Sequence, residues 1–211
     1  MSSLIFTTTD DEAIVATDTL ATSTDGQPHY FTTKAFVVPH LKLIMAGTGM
    51  AGFLDRWFIQ ANGRFAVRGI DHLDYHAANA LSTLWTAYTK EFSVPVGLTT
   101  SVFHFGFSEL TGKMHVYTYH SGTKFESRSV GLGIRAKPDF IPPDEYRFPE
   151  DVKILMDAQR TAQEKTPQGE RLHIGGEIPI HVLTRQGCGI YTAARFDDFD
   201  TTEEAIYSRF L

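Results

Sequence analysis

The sequence predicts an α+β fold in which antiparallel sheets pack together and are covered by helices. Three observations carry this. Segments rich in Val, Ile, Phe and Thr occur in runs separated by short turn signals, as hairpins do. Helical periodicity interrupts those runs in blocks rather than after every strand, which is the order expected of layered sheets and helices. No repeat, low-complexity segment or linker divides the 211 residues, so a single domain over 1–211, long enough to bury a substantial core, is expected.

The elements follow in order. Strands are predicted at Ser3 to Thr9, Glu12 to Asp18, Tyr30 to Phe36 and Leu41 to Ala46, with turns at Asp10-Asp11 and over the polar run Ser23 to Pro28. A helix over Met50 to Gln60 ends at Asn62-Gly63. A longer one over Asp71 to Glu91 carries Leu73, Ala77, Leu81, Leu84 and Tyr88 at helical spacing, with Asp71 able to cap its start. Strands resume at Thr99 to Phe107, Lys113 to His120 and Lys124 to Val130. Lys137 to Phe148, with Pro138, Pro142 and Pro143, reads as a surface loop. Pro149 opens a helix to about Lys165, its first turn holding Glu150 and Asp151, where negative charge suits the helix dipole. Ile178 to Thr184 and Gly189 to Phe196 form a last hairpin, and Thr201 to Phe210 a terminal helix.

Composition narrows the function classes. The formal net charge is −6, and the Lys and Arg residues are scattered, which argues against a nucleic-acid partner. Cys188 is the single cysteine, so an internal disulfide is excluded. No apolar run approaches the roughly 20 residues that span a bilayer, and Met-Ser-Ser-Leu-Ile-Phe lacks a basic segment followed by a long apolar run. A cytoplasmic protein with no membrane partner is expected. His72 and His76 stand at i, i+4 beside Asp74 on a helix, a spacing that can hold a metal, but no third ligand is evident and a polar helix face is the simpler reading. No metal and no cofactor are expected.

The stretch LIMAGTGMAGFLDRW, Leu43 to Trp57, holds Gly47, Gly49 and Gly52 in the spacing G-x-G-x-x-G, with the acidic Asp71 some twenty residues on. That pattern belongs to dinucleotide-binding turns, where glycines let the backbone approach a pyrophosphate at a helix N-terminus. A doubly wound sheet, however, needs strand–helix–strand units from its first strands, and this chain opens with hairpins.

The order of motifs resembles the proteasome β-subunit family of N-terminal nucleophile hydrolases, in its bacterial proteasome-homologue form. The residues that carry the resemblance are "IVATDTLAT", Ile14 to Thr22; Lys34 in "FTTKAF"; Ala46-Gly47 at the end of a strand and before two helices; the strand pairs and glycine turns from Gly97 to Gly133; and "GGEIPIHVLTRQGCGI" as the last hairpin. The resemblance covers nearly the whole chain. It implies a four-layer αββα sandwich of two antiparallel sheets, and assembly of like subunits into a ring or helical array. It also implies action on peptide or unfolded-protein substrates. The family spaces nucleophile, Asp and Lys sixteen residues apart, which places them at Ser2, Asp18 and Lys34.

Those residue types suit the chemistry. A hydroxyl is a weak nucleophile until a base takes its proton, and the α-amine of the same residue, with a pKa near 8, can do so once Met1 is removed. Lys34 would stabilise developing negative charge, Asp18 would hold Lys34, and the Gly47 N–H would donate to the tetrahedral oxyanion. The opening glycines then serve a tight turn rather than a pyrophosphate. The chain departs from the family at Ser2 in place of Thr, Leu20 in place of Arg, Leu132 in place of a supporting Ser, and Glu170 and Ile174 near the places of an Asp and a Ser. Two functions stand side by side: an amide hydrolase with Ser2 as nucleophile, and an inactive assembly or binding protein of the same fold that keeps Met1.

Overall fold

A computed structural model describes residues 3–23, 25–64, 66–167 and 170–209. Among these, β1 (Leu4–Thr8) and β2 (Glu12–Thr17) form the first hairpin, and β3 (Leu20–Thr22) and β4 (Pro28–Phe31) a small second one. Then come β5 (Ala35–Val38), β6 (Leu43–Thr48), α1 (Phe53–Arg64) and α2 (Ile70–Glu91). The chain continues through β7 (Ser101–Phe107), β8 (Met114–His120), β9 (Arg128–Ser129) and β10 (Arg135–Lys137). It closes with α3 (Val152–Glu164), β11 (Glu177–Thr184), β12 (Cys188–Arg195) and α4 (Phe199–Tyr207).

The strands build two five-stranded sheets, ordered β10-β1-β2-β11-β12 and β5-β6-β7-β8-β9, beside the β3-β4 hairpin. Every strand pairing described is antiparallel. The strand that ends at the glycine pattern, β6, lies between two antiparallel neighbours, so the doubly wound alternative fails on topology.

Strand parity sorts the core. Side chains alternate between faces, so Leu4, Phe6 and Val15 of the first sheet meet Ile44, Phe105 and Val116 of the second. The opposite parity, Ile5, Ala16, Ile178 and Ile180, is covered by Val152, Leu155 and Met156 of α3. On the other side, Phe53 and Trp57 of α1 and Leu73 and Leu81 of α2 pack on Leu43, Met45, Val102 and Tyr119.

Several boundaries differ from the sequence prediction for identifiable reasons. Tyr30 to Phe36 is not one strand: β4 and β5 belong to different sheets, so the chain changes sheet between them and passes through Lys34. The strand expected over Lys124 to Val130 shrinks to β9, because Lys124 and Phe125 take left-handed backbone (φ 53° and 58°) that breaks a ladder. The loop expected from Lys137 contributes its first residue to β10, which pairs with β1. Asp71 does not cap α2. Glu109 reaches across to accept the N–H groups of Asp71 (3.0 Å) and His72 (2.7 Å), and the Asp71 carboxylate instead accepts the Ser108 and Tyr117 hydroxyls. A carboxylate from a neighbouring turn thus supplies the donors' partner at this helix start.

His104 on β7 is fully buried beneath α1. Its Nε2 accepts the Trp57 indole N–H at 2.8 Å, and burial holds its pKa down to about 3 from 6.5. The folded pKa is below the unfolded one, so the neutral ring's contribution is complete above pH 6.5 and is lost as pH falls toward 3. This ring alone therefore costs up to roughly 1.4 kcal/mol per pH unit across that window. His104→Gln keeps an acceptor for Trp57 and removes the titration. Denaturant unfolding of both proteins at neutral and acid pH should show the wild type losing more stability on acidification than the variant.

Candidate functional site

Asp18 lies just past the end of β2, fully buried. Its Oδ1 accepts the Lys34 ammonium at 2.7 Å and the Ser3 amide N–H at 2.9 Å; its Oδ2 accepts the Gly175 N–H at 3.1 Å. Lys34, at the entry to β5, also donates to the Leu20 carbonyl at 2.6 Å. Burial pushes the Lys34 ammonium down, against the pull of the Asp18 carboxylate. The pair is thus desolvated yet hydrogen-bonded at both ends, the condition under which a buried charge is tolerated. Two expected site residues, Asp18 and Lys34, are in direct contact. The third, Ser2, lies outside the described residues. It is joined by a peptide bond to the amide that bonds Asp18 Oδ1.

Gly47 sits near the end of β6, and its N–H donates to the Lys34 carbonyl at 3.0 Å. The amide expected to receive an oxyanion is committed to the ladder between β5 and β6. The glycines after it have local reasons of their own. A Cβ at Gly49 (φ 110°) would fall 2.3 Å from the Thr99 carbonyl oxygen and 2.7 Å from the Thr100 Cα, so there is no room for one. A cavity of about 540 Å³ opens on Lys34, Gly47, Thr48 and Gly49, walled by Met50, Leu54 and Asp55 of the turn and α1 and by Arg171 and His173 on the far side. Burial pushes the Asp55 carboxyl up and the His173 imidazole down.

The support around the pair comes from residues the sequence pattern did not single out. Gln159 is fully buried on α3; it accepts the Ser3 hydroxyl and donates to the Pro138 carbonyl at 2.6 Å. It falls on the apolar stripe Val152, Leu155, Met156, Gln159, and an amide on such a stripe is the signal that could have found it. Gly175 receives both Thr19 N–H (3.2 Å) and Leu20 N–H (3.0 Å) on its carbonyl, and Gly176 (φ 87°) lies where a Cβ would meet Phe31 at 3.0 Å. The Gly-Gly doublet was that signal. Leu132, by contrast, is 43% exposed, Glu170 is exposed, and Ile174 packs in the apolar cluster under α3. None of the three has a side-chain hydrogen bond to Asp18 or Lys34. Among the described residues, no group of three His, Cys, Asp or Glu side chains gathers as a metal site.

No family model matches the chain, and no curated protein matches it. Solved structures do. Anbu from Hyphomicrobium sp. strain MC1 is similar over 99% of this chain and 93% of its own, with a TM-score of 0.59 and 8% identity. The Anbu (Gly-1) mutant from the same strain is similar over 100% and 94%, with a TM-score of 0.59 and 10% identity. Anbu is a bacterial proteasome-like protein, and at this identity the likeness shows the fold alone: the chain has a proteasome-like fold. Among the described residues, no helix is long and apolar enough to cross a membrane.

Lys34→Met leaves the Asp18 carboxylate buried without its cation and is expected to destabilise the fold by about 3–5 kcal/mol. The double variant with Asp18→Asn removes the stranded charge and should recover much of that loss. A double-mutant cycle by urea unfolding measures both.

Proposed function

We propose that this protein is an N-terminal nucleophile amide hydrolase in which Ser2 attacks a peptide carbonyl. The observation that supports it is the single carboxylate oxygen of Asp18, which takes both the Lys34 ammonium and the amide that joins Ser3 to Ser2. In this reading, release of whatever precedes Ser2 frees its α-amine. The amine accepts the Ser2 hydroxyl proton as Oγ adds to the carbonyl carbon, and returns it to the departing amine when the C–N bond breaks. Water then hydrolyses the ester left on Oγ. Lys34, largely buried and held by Asp18, favours the negative charge that builds up. The cavity beside it has room for an extended peptide, and the class of substrate is a peptide or an unfolded protein.

The finer fold belongs to the same proposal: the α1/α2 core, the intersheet core and the α3 core would be the interfaces of a four-layer αββα sandwich. Action inside a self-compartmentalised homo-oligomer, a ring or a helical array, in the cytoplasm, rests on the resemblance of the motif order to the proteasome β subunits.

One observation favours the second reading, an inactive assembly or binding protein. The Gly47 N–H that would stabilise an oxyanion is spent on the Lys34 carbonyl, which leaves that stabilisation to other groups.

The test uses protein prepared so that Ser2 begins the chain, exposed to a β-lactone that acylates N-terminal nucleophiles. The expected result is a one-adduct gain in intact mass, absent in Ser2→Ala and slowed at least about a hundredfold in Lys34→Met. A folded protein that gains no adduct supports the inactive reading.

A further inference from the structure

The chain is acidic overall, yet cations gather on the edge strands β10 of the first sheet and β9 of the second. Arg135 and Lys137 lie on β10, and both Lys137 and Arg128 of β9 depress the His120 imidazole at the end of β8, after burial has lowered it first. The Lys137 side chain crosses from one sheet to the other. Its Nζ donates to Ser101 Oγ at 2.5 Å and stands 6.0 Å from the Phe103 ring centre. Among the described residues no carboxylate lies within 4.0 Å of it; the acidic group that acts on it, more distantly, is Asp139. Lys34 has a counterion, and Lys137 does not. Burial accordingly lowers the Lys137 ammonium.

This ammonium faces space on two sides. Outward it lines an opening of about 350 Å³ with Phe6, Phe103, Val130, Arg135 and Asp139. Inward it lines a void of about 40 Å³ with Ser101, Thr48, Gly49 and Thr100, of which the last three also wall the main cavity. A partly desolvated cation that lacks a counterion gains most from an arriving anion. The floor of the opening is two aromatic rings, which suit an apolar group. We propose that the opening beside β10 binds a carboxylate that carries an apolar residue: the Lys137 ammonium, anchored from behind by its bond to Ser101 Oγ, holds the carboxylate, and Phe6 and Phe103 take the apolar body. One ammonium with no carboxylate in contact, and with Asp139 also lining the opening, matches a monoanion better than a phosphate dianion. The proposal does not depend on the reaction at Ser2.

Such a carboxylate could come from a peptide C-terminus or a fatty acid, and the arms of the test separate them. Calorimetry of the wild type at neutral pH would compare N-acetyl-phenylalanine, octanoate and the neutral N-acetyl-phenylalanine amide. At least one carboxylate should bind about tenfold or more tightly than the amide, as a hydrogen bond to a charged group implies, and Lys137→Met should erase the preference. Binding of the first marks a peptide terminus as the source, and of the second a fatty acid. Equal binding of acid and amide, no binding of any of the three at millimolar concentration, or a preference that survives in Lys137→Met would overturn the proposal. Should that variant not fold, amide chemical shifts of the wild type decide: ligand-induced changes clustered at Phe6, Ser101, Phe103 and Lys137 support the site, and changes elsewhere sink it.

Discussion

The buried contact between Asp18 and Lys34 is the constraint around which the rest of the molecule is arranged. Asp18 draws on four separate segments: Ser3 before β1, its own position after β2, Lys34 before β5, and Gly175 before β11. Three of these belong to one sheet and Lys34 leads into the other, so the pair fixes how the two sheets meet at this end. A buried ion pair is a poor way to gain stability, because apolar groups of the same volume do as well or better. Its presence is better explained by position or chemistry than by folding energy, and the cavity that opens on Lys34 agrees with chemistry.

Strand parity decides which groups reach that cavity. Leu4 and Phe6 point between the sheets, while Ser3 and Ile5 point toward α3. A one-residue slip of β1 would exchange the two sets. The register is held on both sides, by β2 and by β10, where Leu4 faces Thr17 and Lys137. Gln159 adds a third hold, since it clasps the Ser3 hydroxyl and the carbonyl after Lys137 at once. Ser3, the residue that follows the proposed nucleophile, is thus placed by pairing and by one buried amide; Leu132 and Ile174, which depart from the family's supporting Ser positions, are half-exposed and packed in the α3 core respectively.

Long periodic elements were legible in the sequence, and so was the spacing that unites Asp18 with Lys34. α2 and the strands β7, β8, β11 and β12 fall within a few residues of their predicted bounds because each has a strong local pattern. What stayed hidden depends on tertiary contact. β10 is three residues long and exists only because β1 offers an edge. The cap of α2 comes from Glu109, nearly forty residues away in sequence, and no local rule points to it. The start of β5 was merged with β4 because the composition does not mark a change of sheet. The Gly175 amide is invisible to any pattern of side chains, since it is a backbone group that serves Asp18.

The glycine pattern shows how one local signal supports two readings until topology decides. In a parallel sheet, the amides after such a strand face an open crevice and can receive a phosphate. Here β5 pairs along β6 up to Ala46, and the carbonyl of Lys34, just before β5, consumes the Gly47 amide, so the pattern cannot work in the same way. Gly49 keeps its value for a different reason, the backbone of Thr99 and Thr100 pressed against it. The same close approach brings Thr100 to both the main cavity and the small void that Ser101 and Lys137 line. Lys34 lines the main cavity, neutralised by Asp18, and Lys137 lines the small void without a carboxylate in contact among the described residues. Lys34 is met by the Asp18 carboxylate at 2.7 Å, whereas Lys137 has Asp139 only at a distance, and this contrast is why the proposed carboxylate site lies beside β10 and not at Lys34.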